Sequence, residues 1–177
     1  LGEVDVTHQV VGYLRTLYSG EVLDAVELDM PRQTLHTRAV MYTLTPESLE
    51  SAGIDATRLP GSLHAAEHAA IGLLPLVATC DRADIGGLST DLHPDTGLPT
   101  VFVYDGYLGG AGFGDRGYGA FATWIEATRA AVAGCECDSG CPSCVQSPKC
   151  GNGNEPLDKS GAVAVLELLG RQYLTHA

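Results

Sequence analysis

The sequence predicts an α+β fold, with an N-terminal antiparallel sheet, a central helix, a buried strand, and C-terminal helices pinned by a cysteine cluster. Residues 1–44 alternate β-branched and polar positions, residues 62–79 are rich in Ala and Leu, and five cysteines lie between Cys135 and Cys150. Alternation is typical of half-buried strands, and Ala and Leu favour helices. Crowded cysteines can fix a short segment by binding a metal ion.

Three antiparallel strands are predicted in the first 44 residues, within EVDVTHQVVGYLRTLY, EVLDAVELDM and QTLHTRAVMYTL. Ser19-Gly20 and Met30-Pro31 separate these segments and are typical of turns. We expect a domain boundary after residue 60, with a β-rich part over residues 1–60 and a second domain over residues 61–177.

The second domain is predicted to begin with the central helix, which Ser62 caps and Pro75 kinks or ends. The Gly- and Asp-rich stretch IGGLSTDLHPDTGLP then predicts a loop, and the apolar run TVFVYD predicts a buried strand. An amphipathic helix with Trp124 over residues 118–133 and a closing helix over residues 160–174 flank the cysteines.

The cysteine run CECDSGCPSCVQSPKC is the most informative motif. Tetrahedral zinc takes four ligands, at about 2.3 Å for sulfur, and CxC and CxxC loops present pairs of sulfurs at that reach. The spacing predicts a zinc knuckle of Cys135, Cys137, Cys141 and Cys144, in which Cys150 could replace Cys135 if VQSPK folds back. A closed four-cysteine site leaves no open position, so the motif indicates structural zinc.

Composition limits the partners of the chain. Its formal net charge is −12, from 10 Lys and Arg against 22 Asp and Glu. Phosphate binding depends on basic side chains, so this balance argues against DNA binding by the chain alone. One isolated Cys80 beside a metal-spaced cluster is typical of a reducing compartment, and we expect a cytoplasmic protein. No apolar run approaches the ~20 residues of a membrane span, so no membrane partner is expected.

His64, Glu67 and His68 form an HxxEH motif on the central helix. Inverted zinc peptidases use this order of residues. A third ligand is also required, and the spacing identifies none, so a structural or hydrogen-bonding role is the stronger interpretation. A metallohydrolase stays open as an alternative.

Further polar residues lie between the central helix and the end of the buried strand. They are Cys80, Asp81, Asp84, His93 and Asp105. We hypothesise that these groups converge with the HxxEH motif on one pocket of unknown role, although buried polar groups often only satisfy one another.

Gly112, Gly114 and Gly117 form a GxGxxG pattern after the buried strand. A dinucleotide site needs this pattern inside a βαβ unit, whereas here the following helix leads into the cysteines, so the glycines are interpreted as tight turns. Neither Lys149 nor Lys159 follows a phosphate-binding glycine loop. The chain is therefore not expected to hydrolyse ATP by itself.

Three ordered segments together resemble a known family. They are HAAEHAAIGLLPLVATCDRADIGGLSTDLH, VFVYDGYLGGAGFGDRGY and CECDSGCPSCVQSPKCGNGNEPLDKSGAVAVLELL. The family is the zinc-binding domain at the C-terminus of superfamily-two DNA helicases of the MrfA, SftH and Hrq-like group. The resemblance spans about residues 60–170, and the preceding residues resemble the family only loosely.

The resemblance implies a non-catalytic, zinc-stabilised module of an ATP-dependent 3′-to-5′ DNA helicase linked to DNA repair. Zinc would be held by the four cysteines of the compact set. The motor domains would lie upstream in the same parent chain and supply the basic path for DNA. This module would brace the motor domains or guide a DNA strand. Arg116, Lys149 and Lys159 are the candidate DNA contacts. The acidic composition also leaves open a zinc-stapled protein-interaction module, the main alternative.

Overall fold

The computed structural model describes the backbone of residues 1–176 and the side chains of residues 1–173, and it confirms the α+β class. The strands are β1 Gly2–His8, β2 Gly12–Thr16, β3 Val22–Glu27, β4 Gln33–Thr43, β5 Ile85–Thr90 and β6 Thr100–Asp105. The α-helices are α1 Pro46–Ser51, α2 Leu59–Leu73, α3 Phe113–Gly119, α4 Phe121–Gly134 and α5 Lys159–His176.

The main sheet has the strand order β1-β4-β6-β5, and each neighbouring pair is antiparallel. The long strand β4 pairs with β1 through its first part, where Val4 lies opposite Thr37, and with β6 through its second, where Met41 lies opposite Phe102. Strand β6 is buried along nearly its whole length, as its apolar sequence predicts. Helix α2 packs against β5 and β6 and closes one side of the core.

The first 44 residues form four strands, so the prediction of three is wrong. The first predicted strand divides into β1 and β2 because its two halves join different sheets. Strand β1 pairs with β4, whereas β2 pairs with β3 in a separate two-stranded sheet. In this β2–β3 hairpin the side chains of Val11, Leu14 and Tyr18 are largely exposed, so the hairpin lies outside the hydrophobic core.

The stretch predicted as a Gly- and Asp-rich loop contains strand β5, so that prediction is also wrong. Two glycines explain the error. A Cβ atom on Gly86 would lie 2.3 Å from the ring of Tyr104, and one on Gly87 would lie 2.5 Å from Glu67 Oε1. Only glycine lets β5 approach β6 and α2 this closely, although glycine normally indicates a loop.

The central helix α2 begins at Leu59, so the prediction that Ser62 caps it is wrong: Ser62 lies inside the first turn, where its hydroxyl donates to Arg58 O. The helix ends as predicted near Pro75, which lies in a short 3-10 turn. Its alanines, including Ala66 and Ala70, are fully buried where α2 contacts α4 and α5. The small side chains allow a close approach, and Trp124 Nε1 on α4 donates a hydrogen bond to Ala70 O at 2.9 Å.

The amphipathic helix predicted over residues 118–133 is confirmed as α4, which carries Trp124, and the shorter α3 is separated from it by a backbone break at Ala120 (φ −109°, ψ 23°). The closing helix is confirmed as α5, with Leu166 and Leu169 buried. None of the described helices is long and apolar enough to cross a membrane.

The position predicted for a domain boundary, after residue 60, falls inside α2. Strands β1 and β4 share their sheet with β5 and β6. Leu44, Leu49 and Ile54 belong to the same hydrophobic core as α2 and α5. Residues on both sides of that position therefore build one core, with the β2–β3 hairpin as an appendage.

Candidate metal centre

Four cysteine side chains converge between the end of α4 and the start of α5. The Sγ–Sγ distances are 3.6 Å for Cys135–Cys137, 3.6 Å for Cys135–Cys141, 3.5 Å for Cys137–Cys144 and 3.8 Å for Cys141–Cys144. All four sulfurs lie within 4.8 Å of one another. The segment that the sequence predicts as a zinc knuckle thus forms a compact set of four thiol donors.

The donor set fits a zinc ion without rearrangement of the chain. Sulfurs at 2.3 Å from a tetrahedral zinc lie about 3.8 Å apart, close to the separations in this cluster. Thiolates are soft ligands that suit zinc, and four of them complete its coordination. An ion held there would stabilise the segment that joins α4 to α5 and leave no position open for a substrate.

Hydrogen bonds around the cluster organise it. The backbone N–H of Cys141 points at Cys144 Sγ at 3.3 Å, an arrangement that stabilises a thiolate. Lys159 Nζ, in the first turn of α5, donates to the carbonyl oxygens of Cys135 and Cys137 at 2.6 Å each. The lysine therefore ties the CxC loop to α5 and places a positive charge beside the sulfurs.

The thiols of the cluster differ in acidity. Burial raises the pKa of Cys144 to about 12, whereas a backbone hydrogen bond from Ser143 is the main factor that lowers the pKa of Cys141 to about 7. Zinc binds thiolates, so binding must displace the proton from Cys144. Metal uptake at this cluster is therefore coupled to proton release.

The three candidate DNA contacts differ in their surroundings. Lys159 contacts the knuckle, and Lys149 Nζ donates to the carbonyl oxygens of Ala83 and Ile85 at 2.9 and 3.0 Å. Both ammonium groups thus fasten loops to the core. Arg116 on α3 is exposed, and its side chain has no hydrogen bond or ion pair with the part of the chain whose side chains are described.

Cys150 lies apart from the knuckle. The VQSPK loop carries it to α2 instead of back toward Cys135, and its Sγ lies 3.3 Å from His64 Nε2. His64, His68 and Cys150 each present a ligand atom within 4.8 Å of the other two. The HxxEH motif, which lacks an identifiable third ligand in the sequence, thus meets a cysteine from a distant segment.

A cavity of about 560 Å³ opens beside this group and is lined by His64, Glu67, His68, Asp81 and Cys150, among others. Burial raises the pKa of Glu67 to about 7, opposed by a hydrogen bond with Ser89. Burial also lowers the pKa of His68 and so favours its neutral form. The predicted convergence of polar groups on one pocket therefore holds for this subset.

The other members of the predicted cluster lie elsewhere. Asp84 accepts hydrogen bonds from Tyr107 Oη at 2.6 Å and from the backbone N–H of Asp81 at 2.9 Å. The ring of His93 lies 4.9 Å from that of Phe102, along the rim of a second cavity next to β1. Cys80 is a free, partly buried thiol outside both groups of metal-ligand side chains among the described residues.

Asp105 explains the first two glycines of the GxGxxG pattern. Its fully buried carboxylate accepts four backbone hydrogen bonds, at 2.6–3.1 Å, from the N–H groups of the loop that opens α3. The donors are Ala111, Gly112, Phe113 and Gly114. Gly112 has a φ of 86°, which favours glycine. Gly112 and Gly114 thus form a turn around the Asp105 side chain, whereas Gly117 allows α3 to pack closely against Leu74 and Trp124.

One residue that organises the Cys150 loop has no assigned role in the sequence-based interpretation. Asn154 Oδ1 accepts a hydrogen bond from Ser147 N at 2.7 Å, and its Nδ2 donates to Ser147 O at 3.1 Å. Its φ of 63° lies in the left-handed region, where Asn is tolerated. The turn-forming residues CGNGN are the signal in the sequence that could have indicated it.

Known proteins are similar to this chain in sequence and fold. Residues 66–145 match the family model described as the MrfA Zn-binding domain. An uncharacterized protein of Methanocaldococcus jannaschii is 36% identical over 112 residues, which is 60% of this chain and 98% of that protein. The uncharacterized ATP-dependent helicase YprA of Bacillus subtilis is 31% identical over 120 residues, which is 67% of this chain and 15% of the helicase. ATP-dependent helicase HRQ1 of Saccharomyces cerevisiae is 24% identical over 178 residues, which is 95% of this chain and 16% of the helicase.

A crystal structure of the DUF1998 helicase MrfA bound to DNA has the same architecture, with a TM-score of 0.70 and 26% identity over 95% of this chain and 22% of that one. This chain thus spans only 15% to 22% of the helicases it matches. The relative from M. jannaschii is covered almost completely, and the four-cysteine cluster supplies the donors that the family name requires. On these matches of sequence, architecture and ligand set, the chain belongs to the MrfA zinc-binding domain family.

Proposed function

We propose that this chain is a non-catalytic, zinc-stabilised C-terminal module of an ATP-dependent DNA helicase, where it braces the motor domains or guides a DNA strand. The observation that carries the proposal is the similarity of 95% of the chain to part of a helicase bound to DNA, at a TM-score of 0.70. The 3′-to-5′ direction and the link to DNA repair, which the family resemblance implies, belong to the same proposal, as does a cytoplasmic location.

ATP hydrolysis is assigned to the rest of the parent protein. Both lysines of the chain donate to backbone carbonyl groups, Lys149 at Ala83 and Ile85 and Lys159 at the knuckle. A P-loop uses its lysine on nucleotide phosphates. Neither lysine is therefore free to bind nucleotide phosphates in the described part of the chain. This fits an accessory module that does not hydrolyse ATP.

The β2–β3 hairpin is the surface proposed to contact the motor domains. The exposed fractions of Val11, Leu14 and Tyr18 are 69%, 61% and 110%. A two-stranded hairpin is marginally stable in water by itself, and clustered exposed apolar side chains mark interaction surfaces. The remainder of the parent chain is the partner proposed, because this module spans only about a fifth of its helicase relatives.

Arg116 is the strongest of the candidate DNA contacts. Five of the eight arginines form ion pairs with Asp or Glu, and both lysines hold carbonyl groups. Few cations are thus left for phosphate, in agreement with the charge of −12. DNA contact by this module is therefore local and depends on the basic path of the motor domains.

The DNA contact can be tested in the full-length protein with Arg116→Glu. Binding to DNA should weaken several-fold, and the dependence of log affinity on log salt should become shallower by about one contact. Arg171→Glu is the matched control, since Arg171 is an exposed arginine already paired with Glu167. Equal affinities of the two variants and the wild type would remove Arg116 from the DNA path.

The motor contact can be tested with the double variant Leu14→Ser and Tyr18→Ser, compared with Leu76→Ser, which alters an equally exposed leucine outside the hairpin. The hairpin variant should unwind less DNA per ATP hydrolysed while keeping its zinc. If the hairpin variant unwound as much DNA per ATP as the Leu76→Ser control, the proposed contact between the hairpin and the motor domains would be contradicted. Loss of a separate binding protein, with unwinding intact, would instead favour the protein-interaction module.

A further inference from the structure

We infer that His64, His68 and Cys150 form a second zinc site, distinct from the four-cysteine knuckle, with one coordination position open to the adjacent cavity. The three ligand atoms lie within 4.8 Å of one another, and His64 Nε2 lies 3.3 Å from Cys150 Sγ. A nitrogen and a sulfur on one tetrahedral zinc ion lie about 3.5 Å apart. The pair is thus already at the separation that shared ligation requires.

Both histidines are oriented as metal ligands are. His64 Nδ1 hydrogen-bonds to Pro156 O at 2.9 Å, and His68 Nδ1 hydrogen-bonds to Val145 O at 2.8 Å. Carbonyl oxygens only accept, so each Nδ1 carries a proton, and in the neutral imidazole that binds metal Nε2 is the nitrogen left to coordinate. Metal-bound histidines characteristically donate their second nitrogen to a carbonyl or carboxylate, which fixes the ring. The two histidines lie one helical turn apart, and these two hydrogen bonds fix the orientation of both rings before a metal ion binds.

The Cys150 sulfur is held in place by its loop. The two hydrogen bonds between Asn154 and Ser147 close the loop, and the backbone N–H of Asn154 points at Cys150 Sγ at 3.3 Å. Backbone N–H groups aimed at sulfur stabilise the thiolate form. The same feature occurs in the knuckle, where Cys141 N–H points at Cys144 Sγ.

The donor set selects the class of metal. One thiolate and two imidazoles suit a borderline-soft ion such as Zn²⁺, whereas Mg²⁺ and Ca²⁺ prefer oxygen ligands. A zinc site with three protein ligands keeps its fourth position for water or an incoming donor. All three side chains line the 560 Å³ cavity, so that position is accessible from it.

A hydrogen bond between thiol and imidazole would also explain the 3.3 Å contact, but it involves His64 alone. His68 is buried, with 4% of its surface exposed, and its ring centroid lies 4.3 Å from that of His64. A shared metal ion accounts for why His68, although it has no hydrogen bond with the thiol, also presents a ligand atom within 4.8 Å of those of His64 and Cys150.

The test is the number of zinc ions per protein molecule, measured by elemental analysis on the full-length protein after saturation with zinc and removal of weakly bound metal. A variant that lacks this module gives the zinc bound by the rest of the parent protein, and that number is subtracted. After this subtraction the wild type should hold two zinc ions. Cys150→Ser and His64→Gln should each hold one. Cys80→Ser, which alters a free cysteine outside both clusters, should still hold two.

Retention of one zinc shows that a variant has kept the knuckle and therefore its fold. Cobalt substitution gives a second measurement, because the thiolate-to-cobalt absorption and the d–d bands of the second site should vanish in both Cys150→Ser and His64→Gln, while those of the knuckle remain. A single zinc in the saturated wild type, or two in either ligand variant, would overturn the inference. Loss of both ions from both variants would also overturn it, because the sites would then not be distinct.

Discussion

The knuckle and the His64–His68–Cys150 group offer metal ligands in opposite ways. The knuckle takes four sulfurs from one short segment, and its donor set is complete. The second group joins side chains that are 86 positions apart, and it supplies three ligands beside a cavity. Closing a short loop costs less entropy than joining distant segments. The knuckle can therefore help to build the fold, whereas the second group is assembled only after the fold has formed.

This difference predicts different responses to the loss of metal. Binding free energy at a structural site is folding free energy, and the knuckle joins α4 to α5. The second group lies on α2 and a loop, which α2 packing and the Asn154 hydrogen bonds hold without metal. Substitutions in and around the two sites therefore distinguish a site that stabilises the fold from a site that the fold presents.

Loss of the knuckle metal should have the largest effect. Cys144→Ser should lower the free energy of unfolding by about 3–5 kcal/mol, a part of the ~10 kcal/mol or more that zinc contributes in small zinc-finger peptides. For a protein of this size the thermal midpoint should fall by roughly 10 °C, and hydrogen exchange should rise first between α4 and α5. An equal loss of stability in Cys150→Ser would remove the contrast.

Asp105→Asn should cause the second largest loss of unfolding free energy. It measures the contribution of a buried hydrogen-bond cluster that binds no metal. The amide NH₂ would face backbone N–H donors that the carboxylate now satisfies. Leaving such buried groups unpaired costs about 2–4 kcal/mol, measurable by urea unfolding. Zinc content should stay at the wild-type value, and a loss of zinc in this variant would show that the centres are not independent.

Lys159→Met should have an intermediate effect confined to the knuckle. The change keeps the length of the side chain but removes both hydrogen bonds to the CxC loop and the charge beside the thiolates. We expect a loss of about 1–2 kcal/mol and faster zinc release to a chelator. Lys149→Met, whose ammonium also holds two carbonyl groups, is the control and should leave the rate of zinc release unchanged.

Asn154→Ala should have the smallest effect on stability, below about 1 kcal/mol, because it removes hydrogen bonds of a partly exposed loop. Its effect on the second site should be larger, since residues that orient ligands commonly contribute 10–100-fold in metal affinity. Competition with a chromophoric chelator measures this change. If zinc binding weakened at the knuckle and not at the second site, the assignment of the Cys150 loop to the second site would be wrong.

What the sequence could predict follows the same division between local and distant contacts. The compact cysteine set, the apolar strand β6 and the closing helix α5 are encoded by short-range patterns. Strand β5 escaped prediction because Gly86 and Gly87 are required by the nearby Tyr104 ring and Glu67 carboxylate, which no local pattern contains.

The roles of individual polar residues were likewise set by distant partners. The sequence suggests that Asp105 joins the histidines, but its four hydrogen bonds lie in the glycine loop. Cys150 follows the CPSC motif closely in sequence, which makes it a plausible substitute in the knuckle. The loop geometry, and not the spacing, directs it to His64.

The most direct test is an anomalous difference map at the zinc absorption edge from crystals of the zinc-loaded protein. The expected result is a peak bonded to the sulfurs of Cys135, Cys137, Cys141 and Cys144, with Cys150 absent from its coordination. A second peak should lie between His64, His68 and Cys150. No zinc among the four sulfurs, or Cys150 in place of any of them, would contradict the assignment of a closed knuckle and a separate open site.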